Sequence, residues 1–214
     1  LFEEGVYFHE DILYNTQIAM KKTKIGYVKD AKYLYRIYGN STTDYKENPL
    51  YSFEQYMHVF ETLFNQFKDL NGNVKKYVQR IALNVIRYRI NHDTLFPYYL
   101  EGQEKEEAYN RILNIINQID DETIMQYNQM HKYHKMYLID LKHENIRINR
   151  GYNKEYTINN DTNILSVENN IEIVMSRFKF KNKKVEFLGF LKSPLLKYGN
   201  VKLYIYYIDK DLKQ

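Results

Sequence analysis

The chain has 214 residues, is 44% hydrophobic and carries a formal net charge of +4. That length holds one large domain or two small ones, and the apolar share is enough for a buried core. The absence of cysteine excludes disulfides, thiolate nucleophiles and cysteine-based zinc sites. No run approaches the roughly 18 consecutive apolar residues that a membrane span needs. Lysines are interleaved with acids rather than clustered, so no nucleic-acid partner is expected. Tyrosine is frequent, at 23 residues, while tryptophan is absent. A coding bias towards Lys, Asn, Ile and Tyr accounts for this; a carbohydrate-contacting surface is the sharper reading, since tyrosine joins an apolar face to a hydroxyl.

In chain order, the opening "FEEGVYFHEDILYNTQIAMKK" reads as a loop and then a short helix after Asp11, with Ile12, Leu13, Ala19 and Met20 as its apolar positions. "KIGYV" (24–28) and "KYLYRIY" (32–38) read as two strands, followed by a polar loop that Pro49 closes. From Ser52 the phenylalanines and tyrosines fall on one helical face through Phe67, with a Ser52–Gln55 capping box and Gly72 as the stop. A second helix runs through Val74, Val78, Ala82 and Ile86, and a third through "EKEEAYNRILNIINQI". A fourth begins at Asp120–Asp121, where acids suit the positive end of the helix dipole, and continues towards residue 145. "INRGYNK" (148–154) is the best hinge, and beyond it the helical period gives way to alternation. "YTINND", "ILSVENN", "IEIVMSRFKF", "KKVEFLGFLK" and "NVKLYIYYID" are five short strands of an antiparallel module.

The run Glu4-Gly5, Phe8, Glu10-Asp11, Lys24 to Val28 and Tyr33 to Ser41 resembles, in order and spacing, the closing part of the catalytic domain of glycosyltransferase family 2. Bacterial enzymes that build wall teichoic acids and capsular polymers look most similar. The expected fold is α+β. Residues 1–50 would be the end of a GT-A-type α/β catalytic domain, 51–150 a helical region, and 151–214 a small antiparallel β-sandwich-like module. Because the chain starts at Leu1 inside a patterned segment, a fragment is expected, with the nucleotide-binding half and its Asp-x-Asp motif preceding it. On that reading the full-length protein is an enzyme and this portion alone is inactive.

The resemblance implies an inverting transfer of a sugar from a nucleotide-sugar, UDP-linked, to a hydroxyl of a cell-wall or capsular polymer. It makes Asp11 the general base and Glu10 its support; by position Arg36, Ser41 and Thr42 would fold over the donor, and His9 would bond the acceptor, tune Asp11 or sit on the rim of the substrate site. Mg²⁺ or Mn²⁺ would be held by ligands outside this chain. Peripheral association with membrane-bound biosynthetic machinery at the inner face of the membrane, a cytoplasmic location and a homo-oligomer are further expectations. Read alone, acids before a helix are an ordinary cap, favoured by the dipole; only the surrounding pattern makes Asp11 a base. The alternative is a non-catalytic polymer-binding or oligomerisation module. His131 and His134 stand at i, i+3 but without a paired carboxylate, so they read as exposed polar face rather than metal ligands. Lys179, Lys181, Lys183 and Lys184 read as a solvated strand edge, with an anionic polymer as the sharper alternative.

Overall fold

The computed structural model describes residues 4–6, 8–22, 24, 26–32, 34, 49–150, 155–161, 164–168, 173–181 and 184–191. The expected α+β class holds: among the described residues six helices precede five strands in two antiparallel sheets. Chain contacts divide the protein into two compact units, Leu1–Lys142 and His143–Gln214.

Helix α1 (Glu10–Lys22) opens with Glu10 and Asp11 and closes with Lys21 and Lys22, charges that complement its dipole at both ends. Leu13 and Thr16 are its buried residues, and the helix packs against α2 (Pro49–Gln66) and α3 (Lys76–Asn91). The boundary proline begins α2 rather than preceding it, because a first helical position has no use for the N–H that proline lacks. Ser52 and Gln55 therefore lie inside the helix and form no capping box: Ser52 Oγ accepts from Arg89, and Gln55 Nε2 donates to the Gly5 carbonyl at 3.2 Å. The helix also ends before Gly72. Asp69 Oδ1 accepts from the amides of Asn71 and Asn73 at 2.8 and 2.9 Å, and Gly72, at φ +83°, completes that turn.

The stripe Phe53, Tyr56, Met57, Phe60, Leu63 and Phe64 is buried, as its spacing requires. It meets Val78, Ala82, Leu83 and Ile86 of α3 and Ala108, Ile112, Ile115 and Ile116 of α4 (Gly102–Asn117) in one core. Arg111 of α4 braces α2 from outside, with Nη1 2.9 Å from Glu54 Oε1 and Nε 2.9 Å from Glu61 Oε1. Gln79, fully buried on α3, donates to the Val74 carbonyl at 2.7 Å and to Asp120 Oδ2 at 3.0 Å, and accepts the Asp120 amide at 2.9 Å. Its amide thus replaces water for the Val74 carbonyl ahead of α3 and for two groups of Asp120 after α4.

The expected fourth helix is two, α5 (Asp121–Gln126) and α6 (Lys132–His143). Lys142 is bonded to the Ile119 carbonyl and lies 2.5 Å from Asp121 Oδ1. In one continuous helix, 21 residues would separate Lys142 from Asp121 by about 31 Å. The chain instead reverses at Tyr127–His131, where the Met130 amide donates to the Tyr127 carbonyl at 3.2 Å and His131 Nδ1 accepts the Tyr133 amide at 3.3 Å.

Two expected strands in the first segment are not formed by the described residues. Lys24 and Gly26–Lys32 carry no ladder, Lys29–Asp30 is a turn, and Tyr27, Val28 and Leu34 are exposed. A strand needs a hydrogen-bonding neighbour, and none is present among the described residues. The rest of "KYLYRIY" lies outside them.

In the second unit β1 (Arg147–Arg150), β2 (Tyr156–Asn159) and β3 (Ile164–Glu168) form a meander, with Arg150 opposite Tyr156 and Tyr156 opposite Glu168. The expected hinge at 148–154 therefore begins as a strand: its Ile148 pairs with Ile158. Strands β4 (Ile173–Lys181) and β5 (Lys184–Leu191) form a separate hairpin, with Lys181 opposite Lys184 and a register shift between Met175 and Arg177. Gly189 sits beside that irregularity, where a Cβ would come 2.5 Å from the Val174 carbonyl oxygen. The strand expected at 200–209 lies outside the described residues.

Candidate functional site

The start of α1 is the corner that the sequence motif marks. His9 adopts a left-handed conformation, φ +62°, and its carbonyl accepts the Leu13 amide at 3.0 Å, which closes the first helical turn. Left-handed φ is uncommon outside glycine, and histidine is among the side chains enriched there. The following residues are then placed by the helix: Glu10 is half-buried and Asp11 exposed, with Asp11 Oδ1 accepting its neighbour Ile12's amide at 2.8 Å. Asp11 therefore presents a carboxylate to solvent at the positive end of a helix.

Beneath this corner lies a cation that composition and motif did not single out. Arg89 projects from the last turns of α3, and its guanidinium carbon sits 4.2 Å from the centroid of the Tyr56 ring. Its Nη2 donates to Ser52 Oγ at 3.1 Å, while its buried Nε has no hydrogen-bond partner. No carboxylate among the described residues pairs with it. Burial holds its pKa below the usual arginine value, with the hydroxyls of Tyr56, Tyr88 and Tyr99 opposing that fall. Tyr56 in turn donates its hydroxyl to the Leu95 carbonyl at 3.0 Å, and burial pushes that phenol far above its ordinary range.

His9 registers both neighbours. Burial pulls its pKa from 6.5 to about 4, the positive charge of Arg89 adds to the fall, and Asp11 opposes it. At neutral pH the imidazole is uncharged, so the corner holds one exposed carboxylate, one neutral histidine and one incompletely satisfied guanidinium.

The sequence-predicted residues are thus only partly gathered. Asp11, Glu10 and His9 stand together at one helix start; Arg36, Ser41 and Thr42 lie outside the described residues. Sequence reasoning missed Arg89 and took Ser52 for a cap. The signal was present, since Arg89 falls seven residues after Ala82 and three after Ile86, on the stripe that α3 buries.

Among the described residues no three His, Asp or Glu side chains gather to hold a metal ion. Glu10 and Asp11 supply two carboxylates without a third donor, so these residues do not fit a divalent-metal centre. The His131 and His134 rings are 5.9 Å apart; His131 is exposed, and burial together with His131 lowers the His134 pKa. No helix among the described residues is long and apolar enough to cross a membrane.

Over 220 aligned residues, covering 98% of this chain, the sequence is 23% identical to the minor teichoic acid biosynthesis protein GgaA of Bacillus subtilis (strain 168). The chain is distantly related to a cell-wall polymer biosynthesis protein. It spans 46% of that relative's length, and the alignment takes in the Asp11 corner, the helices and the β-rich unit together. No family model and no solved structure matches the chain.

Proposed function

We propose that the chain is the acceptor-side portion of an inverting glycosyltransferase that moves a sugar from a nucleotide-sugar, UDP-linked, to a hydroxyl of a cell-wall polymer. One observation carries the reading: Asp11 is exposed on the first turn of α1 beside a neutral His9, above an Arg89 whose Nε is unpartnered. In the proposed reaction Asp11 takes the acceptor hydroxyl proton as that oxygen bonds to the anomeric carbon. The bond from that carbon to the diphosphate breaks, and the nucleoside diphosphate departs. General-base assistance of this kind contributes about 10²–10⁴-fold.

His9, uncharged at neutral pH, adds no cation to the start of α1. Glu10 supports the acceptor. Arg89 is the natural contact for a phosphodiester, because a guanidinium that spends one nitrogen on Ser52 retains others for a phosphate oxygen. Teichoic acids are phosphodiester polymers, so this chemistry suits the kind of polymer that the relative's name specifies. Mg²⁺ or Mn²⁺, if the whole protein needs one, belongs with residues outside this chain.

The test is Asp11→Asn in the full-length protein, assayed for sugar transfer from UDP-sugars to a teichoic-acid acceptor. A loss of about 10²-fold or more in kcat with an unchanged far-ultraviolet circular dichroism spectrum is expected. Retention of activity within a few-fold removes Asp11 from the base role. The polymer-binding module would then be the reading to pursue.

A further inference from the structure

We infer that the helical unit holds a second, sugar-binding subsite, separate from the Asp11 corner, that takes one pyranose unit of the acceptor polymer. A cavity of about 380 Å³ opens where the exit of α3 and the following loop meet α4 and α6; Asp93, Leu95, Phe96, Tyr98, Lys105 and Tyr109 are among its lining residues. That volume is in the range that holds a small ligand.

The wall chemistry selects the ligand. Phe96 and Tyr109 stack with ring centroids 4.9 Å apart and 30° between planes, and Tyr109 and Tyr98 remain exposed. Aromatic faces of this kind fit the C–H face of a pyranose, while phenol hydroxyls meet its rim. Asp93 is fixed at the mouth by the α3 exit: its own φ is +53°, its amide donates to the Ile90 carbonyl at 3.2 Å, and Thr94 donates to the Arg89 carbonyl at 2.8 Å. A carboxylate accepting and a lysine donating within one cavity can bind adjacent sugar hydroxyls. The same pair is unsuited to a phosphate or diphosphate, since Asp93 opposes the charge that Lys105 would attract. Burial and the nearby Tyr109, Asp93 and Asp140 keep Tyr137, another lining residue, protonated as a phenol.

The cavity is also well placed relative to the first site. Leu95 lines it and, through its carbonyl, fixes the hydroxyl of the tyrosine on which Arg89 rests. Arg89 and Ile90, adjacent on α3, serve the two sites respectively, so one polymer can follow the exit of that helix from phosphodiester contact to sugar contact. The polymer as the source of the sugar rests on the transferase reading; the sugar subsite itself does not.

Saturation-transfer NMR on the full-length protein tests the inference, with glucose, N-acetylglucosamine and N-acetylgalactosamine as probes and with UDP and inorganic phosphate as competitors. Binding of at least one sugar is expected, weakened about 5-fold or more by Tyr109→Ala and by Asp93→Asn, and not displaced by phosphate or UDP. Asp93→Asn preserves a residue that tolerates positive φ. Tyr98→Ala, at an exposed position, decides the matter if Tyr109→Ala fails to fold. No sugar binding, binding indifferent to all three substitutions, displacement by UDP or phosphate, or a signal that follows Asp11→Asn instead would each overturn the subsite. A full-length protein that transfers no sugar yet keeps Tyr109-dependent binding would overturn the transferase reading and leave the subsite standing.

Discussion

Acidification should destabilise the helical unit through His9 in particular. Its ring has a pKa of about 4 in the folded protein against an ordinary 6.5. Between those values the unfolded chain binds a proton on this ring that the folded chain does not. The stabilisation is therefore complete above pH 6.5 and is lost as pH falls through 4. A gap of about 2.5 pH units at about 1.36 kcal/mol each corresponds to roughly 3 kcal/mol. Arg89 and Asp11 face the ring, and Arg89 stays charged throughout this range, so it continues to oppose a protonated His9 as the solution acidifies. His9→Asn removes the titration while keeping a residue that tolerates φ +62°. Urea unfolding followed by helical circular dichroism, on both proteins at steps from pH 7 to pH 4, isolates the contribution because all other acids are common to both. The stability difference between parent and variant should fall by about 3 kcal/mol across that range, most steeply below pH 6. A difference that stays constant, or an NMR titration showing this ring protonating near 6.5, would refute both the burial of His9 and its proximity to Arg89.

Gln79→Leu should cost about 1–3 kcal/mol by urea midpoint, because it leaves the buried Val74 carbonyl without its partner and removes a part-buried bond to the Asp120 amide. Arg111→Ala removes contacts to both Glu54 and Glu61, but these groups are partly exposed and solvent-screened, so the thermal-unfolding penalty should be only about 1–2 kcal/mol and should shrink with added salt. Gly189→Ala should loosen the β4–β5 hairpin, speeding amide exchange there while leaving exchange in α2 and α3 unchanged, since its Cβ would crowd the Val174 carbonyl at 2.5 Å.

The helices were legible where burial is one-sided. α2 has six large apolar residues at helical spacing, and a helix that must cover a core has little freedom in which face it turns. Helix ends were less legible because they depend on partners distant in sequence. Ser52 and Gln55 match a capping box locally, yet their side chains are engaged by Arg89 and Gly5, 37 and 50 residues away in the chain. The break between α5 and α6 has the same origin: nothing in "QYNQMHKYH" forbids a helix outright, and it is Lys142 returning to Asp121 that requires the reversal. β1 was hidden because residues 148–150 read together with Gly151 as a hinge, and its pairing with Tyr156–Asn159 has no local sequence mark.

The site divides along the same line. Glu10 and Asp11 are local in sequence, adjacent at one helix start. Arg89 is legible only through a conflict: an arginine placed on the face that α3 buries must lie over an apolar surface, hold a partner, or wait for one. Here Tyr56 supplies the surface and Ser52 one acceptor, and Nε is left over. Such a residue weakens the core it interrupts, because a buried donor without a partner is costly. In the proposed enzyme that cost has a use. On the proposed reading, the second and third helices would form the floor of the acceptor corner that the first helix begins, and polymer recognition would extend from Asp11 into the helical unit rather than stopping at the motif.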